Sequence, residues 1–460
     1  MTNLRDLLES ARAQLPTPQR ARWASIFFSL SVISFQISLA AAQGLLAAAA
    51  LVYILHLVRD RPAVHFPPVK LPLALFGLTT LVSVAGAENP TVGWFAVRKL
   101  MLFLILLLGA NLFASAKHLI VLYQVLFVES AVAGLVSVPQ FLTLYRRARA
   151  LHPNQVYLYM SVERVHGFMG HWMNFGGQQM LIFAALLAFL LLARRIRDSG
   201  FGIRGSGFAR WRLGAAGVAL PMPSERVPVV GADSVPRSTE SRTTNPSRLF
   251  WWLLLAIVVI SLVLNFTRGV WLGCFAATVY LVGCWCPRWL WLLPALVAIG
   301  LVASPRLIRQ RLHSLGNPAA DPSVSIRLEM WQAGLRMIRK HPWLGVGPNN
   351  IPEVYTLYLP PGKAPEVGYR EHLHNDFIQL GAERGLPCLA AWVWLMAALG
   401  WHSRRIRRKT VCLRWVADAA SAALLAMLVE GCFEFNFGTS PVLMLFLFVV
   451  TMPFPAERLS

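Results

Sequence analysis

Residues 171–193 read HWMNFGGQQMLIFAALLAFLLLA, and from Met180 to Ala193 every side chain is apolar. A run of this kind lacks the period-2 alternation of a membrane β-barrel strand. With its approach residues it reaches the roughly 20 residues that a helix needs to cross a bilayer. Similar runs recur along the chain, which has 460 residues, 56% hydrophobic and only 14% charged. Mean hydropathy is +0.54. A soluble chain carries about 25% charged residues. The fold class expected is therefore all-α: a polytopic membrane protein with about twelve transmembrane helices.

Within a few residues, the expected crossings are 23–41, 43–58, 70–86, 94–114, 118–139, 171–193, 250–266, 269–285, 289–303, 386–400, 416–435 and 440–455. The chain then divides into three parts. Residues 1–303 form an N-terminal transmembrane region with spans 1–9, interrupted by a Gly-, Ser-, Pro- and Arg-rich linker at 194–249. Residues 304–385 form a helical segment between spans 9 and 10. Residues 386–460 form a C-terminal transmembrane region with spans 10–12. Residues 1–22 place Leu4, Leu8, Ala11 and Leu15 on one face, as an interfacial helix does. The first apolar run lacks a small-residue cleavage site and is expected to remain as a span.

Net charge is +22. The linker, Arg59, Arg61 and the run Arg404-Arg405-Ile406-Arg407-Arg408-Lys409 fall on the side of the N terminus, so the positive-inside rule makes that side cytoplasmic. An even number of crossings puts both termini there. The opposite side receives the loop 140–170, the turn at 265–269, the segment 304–385 and a short turn near 436–440. That outer side is itself basic, with Arg146, Arg147, Arg149 and Arg164 in one loop and ten Lys or Arg in 304–385. Such a surface suits an anionic partner, most simply a phosphate or diphosphate. Arg268, alone in a tight turn between two spans, is costly there unless used. Cys274, Cys284, Cys286, Cys388, Cys412 and Cys432 lie in or beside apolar segments and read as unbridged.

Within 304–385, residues 325–340 read as an amphipathic helix with Leu328, Trp331, Leu335 and Ile338 as its apolar stripe and Arg327 in its first turn. The turn-rich stretch 341–350 follows. A second helix is expected from near Tyr369, carrying Glu371-His372-Leu373-His374-Asn375-Asp376 and, further on, Glu383-Arg384-Gly385. This is the densest run of titratable groups in the chain, and it offers a proton acceptor at neutral pH. On a helix, His372, His374 and Asp376 do not converge on a metal. Glu371, one turn before His374, could orient it.

Three ordered motifs resemble the O-antigen ligase and polymerase superfamily. They are Thr267-Arg268-Gly269-Val270-Trp271-Leu272-Gly273, Arg327-x3-Trp331 leading into His341-Pro342-Trp343-Leu344-Gly345-Val346-Gly347, and His372-Leu373-His374-Asn375-Asp376 through Glu383-Arg384-Gly385. Together they cover roughly residues 250–400. Arg164-Val165-His166-Gly167-Phe168 looks like that family's outer Arg-x-x-Gly turn. In the ligase pattern His374, Asn375 and Gly385 fit, whereas Cys388 stands where the family has Gly, Thr or Tyr.

The resemblance implies a glycosyltransferase of the bacterial inner membrane with a periplasmic active site. Its donor would be an undecaprenyl-diphosphate-linked polysaccharide and its acceptor lipid A–core oligosaccharide, in contact with membrane lipids and with no nucleic acid. An O-antigen polymerase and a protein O-oligosaccharyltransferase are the near alternatives, and a chain that stops soon after its last span suits the ligase. A transporter is a more distant one, for which only Glu129 and Glu430 offer ionisable groups near the midplane. No Asp-x-Asp occurs, and neither metal nor other cofactor is expected. Arg164, Arg268 and Arg327 would clamp the diphosphate. Arg339 and Asn375 would add substrate contacts, and His374 would act as general base.

Overall fold

A computed structural model describes residues 15–193, 246–303, 309, 322–362 and 372–460. Residues 1–14, the linker as far as 245, Arg306, Arg311, Lys363, Arg370 and Glu371 lie outside the described residues. The described residues are 80% helical, and no strand occurs among them. In chain order the main helices are α1 (Gln19–Ile33), α2 (Leu39–Asp60), α3 (Lys70–Ala85), α4 (Pro90–Asn111), α5 (Ala116–Leu151), α6 (Trp172–Leu192), α7 (Pro246–Leu264), α8 (Arg268–Trp285), α9 (Leu293–Ala303), α10 (Pro322–Lys340), α11 (Asp376–Lys409), α12 (Arg414–Glu430) and α13 (Ser440–Thr451).

Seven helices among the described residues are long and apolar enough to cross a membrane: α2, α4, α5, α6, α8, α11, and α13 continued to Leu459. Lys70–Ala85, Arg248–Leu264 and Pro287–Gly300 are apolar but shorter. Helix α12 has 17 residues, which reach about 25 Å against a hydrocarbon core of about 30 Å. It also carries Asp418 and Glu430, both fully buried. It packs against α6, α8, α11 and α13, so those neighbours rather than lipid surround its polar groups. Around it, α6 and α13 are buried over most of their length, and Trp392, Trp415, Phe446 and Phe448 fill the centre of the core.

Three expected elements differ. Helix α5 does not end near residue 139 but runs through Pro139 to Leu151. Its Gln140, which reads as a loop residue, donates to the Gly167 carbonyl and accepts from the His166 and Gly167 amides. Helix α10 begins at Pro322, which puts Arg327 in its second turn. Its buried stripe is Met330, Ala333, Gly334 and Met337, while Leu328 and Leu335 are exposed. The small face wins because the neighbouring chain lies very close: a Cβ on Gly334 would sit 2.6 Å from Leu373 Cδ1.

The third difference concerns the titratable stretch. Residues 372–375 are not helical. His374 has φ of 48°, and the helix starts only at Asp376, where the Asn375 carboxamide oxygen caps the Ile378 amide at 2.9 Å. Within α11 the backbone breaks at Gly385, with φ 79° and ψ 170°, just before Pro387. This break leaves the Ala382 and Glu383 carbonyls without helical partners. The 341–350 stretch supplies them: the Val346 and Gly347 amides donate to these carbonyls, each at 2.9 Å, and the Leu386 amide donates back to Pro342 at 2.8 Å. The glycines of that stretch thus cap a broken helix. A Cβ on Gly385 would collide with the Trp343 carbonyl, and its backbone region is essentially reserved for glycine. Gly385→Ala is expected to cost at least about 1–3 kcal/mol, read as a lowered thermal unfolding temperature of the purified protein in detergent.

Candidate active site

One carboxylate gathers the site. Glu434 lies in the turn between α12 and α13 and is 1% exposed. Its Oε2 meets His374 Nδ1 at 2.6 Å, and its Oε1 accepts from Arg327 Nη2. Burial alone would push this carboxyl up, but the Arg327 guanidinium, His374 and Arg164 outweigh burial and hold it below the ordinary carboxylate range. Glu434 is therefore an anion at neutral pH, and a proton on His374 Nδ1 is favoured. The Nε2 lone pair is then left to accept a proton from elsewhere.

The loop that carries His374 is stitched to the same turn. Asn375 Nδ2 donates to the Cys432 carbonyl at 2.9 Å. The Asp376 amide donates to Gly431 at 2.7 Å, and Asp376 Oδ1 accepts from the Phe437 amide at 3.3 Å. Because no helix runs through 372–375, the rings of His372 and His374 lie side by side, with centroids 4.3 Å apart. They do not occupy separate helix faces. Burial and then the neighbouring His374 push the His372 imidazole down to about 3, which keeps it neutral.

Arg164 and Arg268 approach from another side. Arg164 stacks on Trp172 with its guanidinium carbon 3.8 Å from the ring centre, and it donates to Thr267 Oγ1 at 3.2 Å. Asn265 ties this corner together by donating to the Val165 and Trp172 carbonyls and accepting from Thr267 Oγ1. Arg268, the first residue of α8, is 6% exposed. Next to it, a Cβ on Gly269 would lie 3.3 Å from Phe433 Cβ, so α8 packs closely on the turn that carries Glu434. Arg164, Arg327, His374 and Asn375 thus border one turn, residues 431–437, on which Gly269, next to Arg268, also packs. Arg339 is not among them. It is exposed in the last turn of α10, about 18 Å along the helix from Arg327.

Glu371, considered as a group that could orient His374, lies outside the described residues; among the described residues Glu434 holds the ring. The sequence did contain a signal for it: Glu430 and Glu434 are acids at the end of an apolar segment, where a charge needs a use. Among the described residues, no three His, Cys, Asp or Glu are grouped so as to hold a metal ion. A buried imidazole backed by a carboxylate, with guanidinium groups beside it, can take a proton from a hydroxyl while neutralising an anionic leaving group.

Residues 253–393 match the O-antigen ligase family. The match supports membership of that family, as the three sequence motifs implied, and with it a glycosyltransferase-like enzyme of lipopolysaccharide synthesis. No curated protein matches the chain. The matched segment holds Arg268, Arg327, His374 and Asn375, begins after Arg164 and ends before Glu434.

A carboxyl with a depressed folded pKa stabilises the protein above its unfolded pKa, about 4.3, and loses that contribution as pH falls through the lower folded value. Glu434→Gln is therefore expected to unfold at a lower temperature than wild type at pH 7. The gap should shrink as the pH falls below about 4. Thermal unfolding of both proteins across pH 7 to 3 checks this.

Proposed function

We propose that the protein is an O-antigen ligase. In this reading it moves a polysaccharide from undecaprenyl diphosphate to a hydroxyl of lipid A–core oligosaccharide at the periplasmic face of the inner membrane. Helices α1, α3, α7, α9 and α12 cross together with the seven long ones, giving twelve crossings, and both termini lie in the cytoplasm. The observation that carries the reading is the Arg327–Glu434–His374 group beside Arg164 and Arg268, inside the family that the matched segment supports.

Glu434 holds His374 Nδ1, so Nε2 takes the proton of the acceptor hydroxyl. The hydroxyl oxygen forms its bond to the anomeric carbon as the bond from that carbon to the diphosphate breaks. The electron pair leaves with the diphosphate, whose charge Arg268 and Arg164 neutralise in forked geometry. A single displacement inverts the anomeric centre. Arg327 acts mainly through Glu434. Arginine here supplies the positive charge for which many transferases use a divalent cation, so activity is proposed to be metal-independent. Asn375 fixes the loop, and Arg339 stands too far along α10 for a part in the chemistry.

A polymerase, which joins the chain to a second lipid-linked repeat, is favoured by one observation: Cys388 departs from the ligase pattern. It is buried beside Thr80, with Sγ 3.7 Å from Oγ1, and so packs away from the site. Passage of a solute has less support, because Glu430 sits at the end of α12 and accepts from Asn436 Nδ2 at 2.6 Å.

The test uses purified protein, undecaprenyl-diphosphate-linked polysaccharide and lipid A–core, read as a gel shift. Product is expected only with lipid A–core, and chelator is expected to leave its yield unchanged. His374→Ala is expected to lower the rate by about 10²–10⁴-fold, and Arg268→Ala by about 10²–10³-fold. A donor that lengthens without lipid A–core would make the protein a polymerase. Unchanged transfer in His374→Ala would remove the base assigned here.

A further inference from the structure

His374 stands at φ 48°, a backbone region that a non-glycine residue keeps only where its surroundings over-determine it. Asn375 and Asp376 fix the C-terminal flank through the 431–437 turn. Leu373 fixes the N-terminal flank. Its side chain is buried against α10 at Gly334, and its amide donates to Gln379 Oε1 at 2.7 Å. Gln379 Nε2 donates in turn to Glu383 Oε1 at 2.9 Å. The same oxygen accepts from the Asn349 amide at 3.0 Å. One line of hydrogen bonds thus runs from the 341–350 stretch, through two side chains of α11, to the amide that precedes His374.

Gln379 and Glu383 are four residues apart on α11, so their side chains meet on one face of the helix. Both are buried, where polar atoms need partners. Because Glu383 Oε1 accepts from Gln379 Nε2, the carboxamide oxygen is turned toward Leu373. Glu383 is itself firmly anchored. Its carbonyl accepts from the Gly347 amide at 2.9 Å and from Ser83 Oγ at 3.1 Å, and Arg384 Nε lies 3.9 Å from Oε2. We infer that Gln379 and Glu383 are positioning residues for His374, which carry the rigidity of the capped helix break to the loop that holds the imidazole. They act through the Leu373 amide and are not themselves catalytic. Without them that amide is left unpaired, and the loop is free to swing His374 away from Glu434. The effect on rate rests on the transferase reading, whereas the brace itself is tested without turnover.

The full-length protein in nanodiscs is compared with Gln379→Met and Glu383→Met, which keep side-chain size, with the double variant, and with Glu383→Gln, whose carboxamide oxygen can accept both donors. Deuterium exchange is followed on peptides spanning 372–378. Exchange at Leu373 is expected to quicken by about tenfold or more in both Met variants, as for an opened loop, and to stay at the wild-type rate in Glu383→Gln. In the saccharide-transfer assay the Met variants are expected to lower kcat by about 10–10²-fold while KM for the lipid-linked donor is unchanged. The double variant is expected to lose no more than the slower single one, because both side chains act along one line. Glu383→Gln is expected to keep the wild-type kcat. Unchanged exchange in Gln379→Met, quickened exchange with unchanged kcat, or a Glu383→Gln protein as slow as Glu383→Met would overturn the inference. If Glu383→Met does not fold, Gln379→Met and Glu383→Gln decide alone. The expected exchange pattern in a protein that transfers no saccharide would sink the transferase reading and leave the brace standing. Wild-type transfer with unchanged exchange in the Met variants would do the reverse.

Discussion

A single buried carboxylate, Glu434, holds three distant parts of the chain in register. Its two oxygens serve different residues, His374 on one and Arg327 on the other. Removed from water, a carboxylate is tolerable only with both partners in place, so burial itself enforces the geometry. The same pairing decides which imidazole nitrogen keeps its lone pair. Position, protonation and charge in the site thus follow from one contact between a loop before α11 and a turn after α12.

Around this contact the backbone does the positioning. The break at Gly385 turns the start of α11 away from its long apolar continuation. The amides of Val346 and Gly347 fasten the broken end, and hydrogen bonds at Asn375 and Asp376 fasten the other to the 431–437 turn. His374 therefore sits on a short loop with both flanks pinned, in a backbone region that non-glycine residues seldom occupy. Arg164 and Arg268 are set by a separate device, the Asn265–Thr267 corner with Trp172 as a stacking plate.

Much of this was legible in the sequence. Continuous apolar runs specify helices, and the run from Met180 to Leu192 is helical as read and mostly buried. Arg164, Arg268, Arg327 and His374 were separated from other basic and titratable residues by their place in turns and motifs, and the fold brings Arg164, Arg327 and His374 to Glu434. The failures share a cause: periodicity reports faces, not backbone handedness or close approach. Nothing periodic marks the positive φ of His374, so 372–375 read as helix. The bulky stripe of α10 outweighed Met330, Ala333 and Met337 because hydrophobicity does not register how near Gly334 lets Leu373 come. Glu434 stands 60 residues from His374, and no local pattern joins them.

The location of Glu434 also bears on what counts as a unit in this chain. The segment matched by the family, 253–393, ends before α12, yet the carboxylate that orients its histidine comes from beyond α12. The matched region is therefore a signature and not a module. Cut out or grafted onto another membrane scaffold, it would keep Arg268, Arg327 and His374 but lose the counter-ion that Arg327 and His374 share. The chemistry of this protein can be inherited or exchanged only together with the helices that follow it.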